Sequence, residues 1–252
     1  RLEALALRGR RERARAGALL FAARVWAACA LLAALGWPAA ALLARPSACW
    51  AFSRAAARLL LRLAGLPLSV RGLEHIPEGR PCVLAVNHTS YADSILLLAA
   101  LRRPFRFVAK AELGANFPVR VYLRNLGAVL VERFDARRGV ADAEALAETA
   151  RAGRSLIVYP EGTFVREAGL RPFRMGAFLA AARAGAPVVP VAIRGARSLL
   201  RGGSWFPRRG PLSVAFGPPL EPEGRDWAAA VRLRDAARAE ILRGCGEPDR
   251  RS

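Results

Sequence analysis

The sequence has few histidines, few cysteines and almost no lysine or methionine, and these shortages exclude several kinds of protein. Two histidines and four cysteines, with no C-x-x-C spacing, form no pattern typical of zinc sites, so we expect no metal. Scattered cysteines are typical of buried side chains in a reducing compartment, which predicts a cytosolic folded part. No Gly-x-Ser-x-Gly sequence occurs, which argues against a serine hydrolase. A hydrophobic share of 54% excludes disorder of the whole chain.

Acidic residues are also scarce, with 20 Asp+Glu against 40 Lys+Arg and a net charge of +20. Because Lys110 is the only lysine, the excess is almost wholly arginine. Such a surface attracts phosphate head groups, nucleic acid or acidic substrates. Nucleic-acid binding usually interleaves aromatic and basic residues on one face, and no such motif occurs, so we expect no nucleic-acid partner. A non-catalytic basic protein that binds membranes remains an alternative.

Residues 1–66 are predicted to form a basic and apolar helical arm that binds a membrane. Arginines cluster near the start, and residues 25–43 carry no charge, enough for about 28 Å of helix, close to the hydrocarbon thickness of a bilayer. The arginine cluster predicts that the preceding side stays in the cytoplasm. Met175 is the only methionine, so we expect the chain to be a fragment or a processed form.

Gly36-Trp37-Pro38 lies inside this apolar run and predicts a kink or a helical turn there. One interpretation is a single tilted span, and another is a hairpin that dips into one leaflet, with residues 47–66 as its second arm. Arg54, Arg58 and Arg62 lie four residues apart among leucines in that arm, a pattern that suits an interface and favours the hairpin. A signal peptide cleaved near residues 39–41 is a third interpretation.

Short β-rich runs alternate with helical patterns from residue 67 to residue 252. This alternation predicts an α/β domain with a mostly parallel central sheet flanked by helices. Strands are predicted over residues 68–73, 82–87, 105–109, 128–131, 155–159, 188–193 and 212–216. Helices are predicted over residues 90–101, 119–125, 140–152, 173–184 and 227–242.

The most informative local feature is Asn87-His88-Thr89-Ser90-Tyr91-Ala92-Asp93, between an apolar strand and a helix. Strand ends are where α/β proteins place ligands. Thr89 or Ser90 is predicted to cap the helix and Asp93 to lie in its first turn. A carboxylate at one imidazole nitrogen leaves the other free to accept a proton from a hydroxyl. His88 is therefore a candidate base oriented by Asp93, although a turn histidine beside a helix N-terminal carboxylate explains the same spacing.

Three further motifs follow in the chain. Residues 127–133 form a predicted strand that ends in Arg133, and residues 189–193 form an apolar strand that contains a proline. Residues 159–163, Tyr-Pro-Glu-Gly-Thr, form a turn after another apolar strand. That turn is expected to present the Glu161 carboxylate and backbone N–H groups at the same sheet edge as His88.

Taken in order, these four motifs resemble the signature blocks of the glycerophospholipid acyltransferase family, whose best-known bacterial members are 1-acylglycerol-3-phosphate acyltransferases. The resemblance covers roughly residues 67–220. Residues 87–93 match the family's Asn-His-x-x-x-x-Asp pattern in full, and residues 160–163 match Pro-Glu-Gly-Thr. The family's fold would give the α/β domain described above, with a membrane-embedded arm before it.

The resemblance implies that His88 is the general base and that Asp93 orients it. A hydroxyl of a lysophospholipid acceptor would then attack an acyl-CoA or acyl carrier protein thioester, without a covalent acyl-enzyme and without a cofactor. Contacts to the acceptor's glycerol phosphate are implied for five residues: Lys110, Arg133, Glu161, Gly162 and Thr163. The product would be phosphatidic acid for phospholipid biosynthesis, made at the cytoplasmic face of a bacterial inner membrane.

The sequence departs from the family pattern at one position. Many members carry arginine directly after Pro-Glu-Gly-Thr, where this chain has Phe164. Phosphate binding from this loop then depends on Arg166, Arg171 or Arg174. The departure leaves another lysophospholipid or a lyso-aminolipid as the alternative acceptor.

Overall fold

A computed structural model describes residues 2–43, 45–131 and 136–250. Its centre is a seven-stranded sheet in the order β1-β7-β6-β2-β5-β3-β4. The strands are β1 (Leu68–Arg71), β2 (Val83–Val86), β3 (Arg106–Lys110), β4 (Val129–Val131), β5 (Leu156–Val158), β6 (Val188–Arg194) and β7 (Leu212–Phe216). The α-helices are α1 (Leu2–Leu42), α2 (Pro46–Ala64), α3 (Asp93–Ala100), α4 (Phe117–Leu126), α5 (Ala136–Arg151), α6 (Gly176–Ala184), α7 (Ala196–Leu199) and α8 (Trp227–Cys245).

Five neighbouring strands, from β6 to β4, run parallel, so their carboxyl ends share one edge of the sheet. β7 is antiparallel to β6, and β1 is parallel to β7, so these two strands run the other way. The predicted α/β class with a mostly parallel sheet is confirmed. All seven predicted strands are present, with boundaries that shift by a few residues.

The sheet separates two apolar layers, because successive residues of a strand point to opposite faces. In β2, Leu84 and Val86 pack in one layer with side chains of α2 and α3. Val83 and Ala85 pack in the other layer with side chains of α5, α6 and α8. The strand at the centre is buried along its whole length, as expected for a parallel strand covered on both faces.

The two N-terminal helices form an antiparallel pair. Gly36 of α1 faces Phe52 of α2, and Arg24 donates a hydrogen bond to the carbonyl of Leu63 at the other end of α2. α2 packs in turn on the sheet, where the Trp50 ring lies 5.9 Å from the Phe107 ring, centroid to centroid. Within the described residues, α1 holds one stretch long and apolar enough to cross a membrane, Glu12–Ala40, with a mean hydropathy of 2.1.

The predicted break at Pro38 was wrong in position, because α1 continues through that proline to Leu42. Pro38 lies in the last turns of α1, where its missing N–H removes a single backbone hydrogen bond. The chain turns instead just before Pro46, which begins α2. Proline restricts the residue that precedes it, and Arg45 is extended, with φ −89° and ψ 120°. The helix-turn-helix arrangement of the hairpin interpretation is present.

Candidate active site

His88 and Asp93 meet at the carboxyl edge of the sheet, where β2 turns into α3. The Nδ1 atom of His88 lies 2.9 Å from Oδ2 of Asp93. The same oxygen accepts the backbone N–H groups of Thr89 and Ser90, at 2.7 and 2.9 Å. Three donors therefore fix a fully buried carboxylate, and the hydrogen bond to Nδ1 leaves Nε2 of His88 as the acceptor. The predicted pairing of the two side chains is confirmed.

The predicted cap of the helix was wrong. Ala92 is the N-cap residue of α3, with no side-chain cap. The Ser90 hydroxyl instead accepts the N–H of Ala92 at 3.1 Å and donates to the carbonyl of Leu200 at 2.5 Å. Asp93 itself, at the first position of the helix, satisfies the N–H groups that a capping residue would otherwise have to satisfy.

Asn87 fixes the start of the catalytic turn to the neighbouring strand. Its side-chain amide donates to the carbonyl of Ile193 at 2.9 Å, and its oxygen accepts the N–H of Ile193 at 2.7 Å. Asn87 is fully buried, and this pair of bonds replaces a strand ladder at the point where β2 ends. Sequence reasoning quoted Asn87 as part of the motif without assigning this positioning role.

Glu161 follows β5 and bridges two loops from beneath the site. One carboxylate oxygen accepts the N–H of His88 at 2.7 Å, and the other accepts the N–H of Arg171 at 2.9 Å. The side chain is only 4% exposed. Burial raises the pKa of Glu161 to about 7, and the nearby Asp93 carboxylate raises it further, although both backbone N–H groups oppose the shift. The contacts give Glu161 a positioning role, and direct acceptor binding by Glu161 stays a prediction.

The turn after Glu161 brings two arginines to the site. Gly162 has φ +80°, a conformation that favours glycine, and a Cβ there would lie 2.6 Å from Nε of Arg174. The guanidinium of Arg171 donates to the carbonyl of Thr163 at 3.3 Å. Two of the three arginines expected to compensate for Phe164 therefore lie against the Pro-Glu-Gly-Thr turn.

Aromatic rings enclose the imidazole of His88. The Tyr159 ring stacks on it with centroids 4.1 Å apart and 19° between the planes. Phe164 meets it edge-on at 4.6 Å, and Tyr91 meets Phe164 edge-on at 4.7 Å. The position where many family members have arginine thus holds an apolar wall beside the base. Sequence reasoning did not assign this role to Tyr159 or Tyr91, because nothing in their spacing indicates the contact.

Lys110 ends β3, which lies two strand spacings, roughly 10 Å, from β2 at the same sheet edge. Arg133 lies outside the described residues, which resume at Ala136 after β4 ends at Val131. Phosphate binding by either side chain stays a prediction. The second histidine, His75, is at the opposite edge, where Nδ1 lies 2.8 Å from the carbonyl oxygen of Phe216.

An apolar cavity of about 250 Å³ lies next to the motif, between α1, α2 and α3. Trp26 and Leu61 line it from the helices, and Tyr91 and Ala92 line it from the catalytic turn. Trp205 lines it from the loop after α7. The cavity therefore provides a water-poor space that begins beside His88 and continues toward the N-terminal helices.

Comparison with known proteins gives a consistent family. A family profile described as Acyltransferase matches residues 67–194. The chain is 31% identical over 210 residues to a lyso-ornithine lipid O-acyltransferase of Pseudomonas aeruginosa, covering 73% of this chain and 76% of that one. It is 33% identical over 136 residues to a chloroplastic 1-acyl-sn-glycerol-3-phosphate acyltransferase of Brassica napus. The match covers 54% of this chain, but only 39% of the plant protein's length.

A solved structure has the same fold. The 1-acyl-sn-glycerophosphate acyltransferase PlsC of Thermotoga maritima superimposes with a TM-score of 0.74 and 23% identity, covering 91% of this chain and 95% of that one. The profile spans half of the chain, and the Pseudomonas relative spans most of it. The predicted family is therefore confirmed, and the chain belongs to the acyltransferase family.

Proposed function

We propose that the chain transfers an acyl group from acyl-CoA or acyl carrier protein to the free hydroxyl of 1-acylglycerol-3-phosphate, giving phosphatidic acid for phospholipid biosynthesis. The observation that carries the proposal is the His88–Asp93 pair, with Nδ1 held at 2.9 Å and Nε2 left to accept a proton. Similarity to a protein named 1-acyl-sn-glycerol-3-phosphate acyltransferase supports this acceptor.

The chemistry follows from the orientation of the imidazole. Nε2 of His88 removes the proton of the acceptor hydroxyl as its oxygen attacks the thioester carbonyl, and Asp93 stabilises the imidazolium that forms. The tetrahedral intermediate then collapses, the C–S bond breaks, and the thiolate takes the proton back from His88. No covalent acyl-enzyme is needed, because the acceptor oxygen is itself the nucleophile.

The acceptor's phosphate needs fixed cations, which the basic rim of the sheet can supply. Arg171 and Arg174 lie against the Gly162 turn, and Lys110 ends a strand at the same edge. Together with Arg133, these side chains are the candidates for charge-assisted contacts to the phosphate. The apolar cavity beside Tyr91 offers a place for an acyl chain.

Membrane association is part of the proposal, since lysophospholipids are lipid-borne. The apolar stretch Glu12–Ala40 is only 17% buried, which leaves its outer surface available to lipid. We place residues 1–66 at the bilayer as a membrane-binding arm, with residues 67–252 as the acyltransferase domain. The arginines near the start favour the cytoplasmic face of a bacterial inner membrane.

The central test replaces His88. His88→Ala should lower kcat about 100- to 10,000-fold, because a base that acts in the transition state contributes that much. The assay uses the purified full chain, vesicles that carry lysophosphatidate, and radiolabelled acyl-CoA or acyl carrier protein. His75→Ala is the matched control, because His75 lies at the opposite sheet edge. Turnover in His88→Ala equal to that of the control would refute the assignment.

A lyso-ornithine lipid is the second candidate acceptor. It is favoured by Phe164, which puts an apolar ring against His88 where many family members have arginine. The Pseudomonas relative named for that acceptor covers more of this chain than the plant relative does. Measuring kcat/KM for lysophosphatidate and lyso-ornithine lipid separately decides between them. If the second acceptor is correct, Phe164→Arg should shift the ratio of the two values toward lysophosphatidate.

A further inference from the structure

The loop after α7 exposes large aromatic side chains beside the catalytic turn. Trp205 is 69% exposed, Phe206 is 40% exposed, and Tyr91 of the catalytic turn is 50% exposed. The rings of Tyr91 and Trp205 stack with centroids 5.8 Å apart and 11° between their planes. We call these three residues the aromatic rim. Single exposed apolar residues are ordinary, whereas a contiguous aromatic group indicates a contact surface.

The same loop is strongly basic. Residues 201–210 include Arg201, Arg208 and Arg209, all exposed, and no carboxylate. Exposed tryptophan and tyrosine beside arginine is the combination found where proteins meet the head-group region of a bilayer. Aromatic rings there contact the upper acyl chains, while guanidinium groups bind lipid phosphates.

The loop is also attached to the apolar N-terminal helix. Trp26 of α1 donates from its indole N–H to the carbonyl of Trp205 at 2.8 Å, and the guanidinium of Arg209 lies 5.0 Å from the centre of the Phe21 ring. Leu19 and Leu20, on the same part of α1, are 61% and 72% exposed. The aromatic rim thus continues the apolar surface of α1 instead of forming a separate patch.

We propose that the aromatic rim, with Arg208 and Arg209, is a second membrane contact that rests on the head-group region of an anionic bilayer beside α1. The contact lies close to the chemistry, because Tyr91 touches Phe164 and Phe164 touches His88. It holds the base at the lipid surface, where an acceptor can present its hydroxyl without leaving the membrane. The inference rests on the proposed function only for the identity of that acceptor.

Fluorescence quenching by brominated lipid tests the contact directly. The full chain is mixed with phosphatidylglycerol vesicles brominated near the head-group end of the acyl chains or near their tips. The signal of Trp205 is the difference between the wild type and Trp205→Phe. Trp227→Phe is the matched control, because Trp227 is 57% exposed and begins α8, near the opposite sheet edge.

We expect the Trp205 signal to be quenched, more strongly by bromine near the head groups, and the Trp227 signal to stay unquenched. A Trp205 signal that brominated vesicles leave unchanged overturns the proposal. So does equal quenching of both signals, because the contact would then not be specific to this loop.

A charge variant provides a second measurement that does not depend on tryptophan. Arg208→Gln with Arg209→Gln should weaken sedimentation with phosphatidylglycerol vesicles roughly thirtyfold, since each arginine near an anionic surface contributes roughly fivefold. Arg225→Gln with Arg232→Gln removes the same charge near the start of α8 and should change binding little. Equal losses in the two double variants contradict the proposal.

Neither measurement requires acyl transfer, so the two proposals can fail separately. A chain whose Trp205 is quenched but that acylates no lysolipid refutes the proposed function and leaves the second contact standing. A chain that acylates lysolipid with Trp205 unquenched refutes the contact alone.

Discussion

Replacing Glu161 by glutamine should change how stability depends on pH. Burial raises the pKa of Glu161 from an ordinary value of 4.5 to about 7 in the folded chain. Between these values the folded state holds a proton that the unfolded state has lost. The stability from this group is therefore fully present below the unfolded pKa and is lost as the pH rises through the folded pKa.

The size of the effect follows from the shift. Between pH 5 and pH 8 the wild type should lose about 2 to 3 kcal/mol of unfolding free energy that Glu161→Gln does not lose, because glutamine does not ionise. The variant therefore gains stability relative to the wild type as the pH rises. Urea unfolding of both proteins in detergent, at pH 5 and at pH 8, measures this difference, with exposed Glu167→Gln as the control.

The same variant should lose activity. A carboxylate accepts the N–H groups of both His88 and Arg171, whereas a glutamine oxygen accepts only one and leaves the other facing an amide nitrogen. An unsatisfied buried N–H costs about 1 to 3 kcal/mol, which corresponds to a roughly 5- to 150-fold lower kcat if it displaces the His88 turn. A stability difference that stays constant between pH 5 and pH 8 would refute the reasoning, whatever the activity.

Three other substitutions test the site. Asp93→Asn should lower kcat about as much as the loss of His88, with a similar melting temperature, because it removes the negative charge that stabilises the imidazolium; a wild-type kcat would exclude that role. Arg133→Ala should raise the KM for the acceptor roughly ten- to a hundredfold and leave the KM for the donor unchanged, whereas a structural role would lower the melting temperature instead. Gly162→Ala should lower the unfolding free energy by about 1 to 2 kcal/mol in urea titrations, because its φ of +80° strains a side chain; an unchanged value would exclude strain there.

The strands could be predicted from the sequence because each is a short apolar run bounded by turn residues, and the structure has all seven. Short elements such as α7, with four residues, could not, since they have too few positions to form a pattern. The turn placed at Pro38 was wrong because a proline near a helix end costs little. The position of the turn depends on Pro46, whose effect on Arg45 is also local but was not weighed.

The catalytic pair could be predicted because both members lie within one short motif, so their spacing alone brings them together. The hydrogen bond from the His88 N–H to Glu161 joins residues 73 positions apart, and the bonds from Asn87 to Ile193 span 106 positions. No local pattern indicates such contacts, because they depend on the order of strands in the sheet. The same limit explains why the aromatic rings around the imidazole were not predicted.

The attachment of the His88 turn to both neighbouring strands has a consequence for motion. Asn87 binds Ile193 in β6, and the His88 N–H binds Glu161 after β5, so the turn is held from either side of the central strand. The turn cannot swing away without separating the middle of the sheet, which is the last part of a parallel α/β domain to open. The base is therefore rigid on the timescale of turnover, and substrates have to reach it through movements of the surrounding loops and helices.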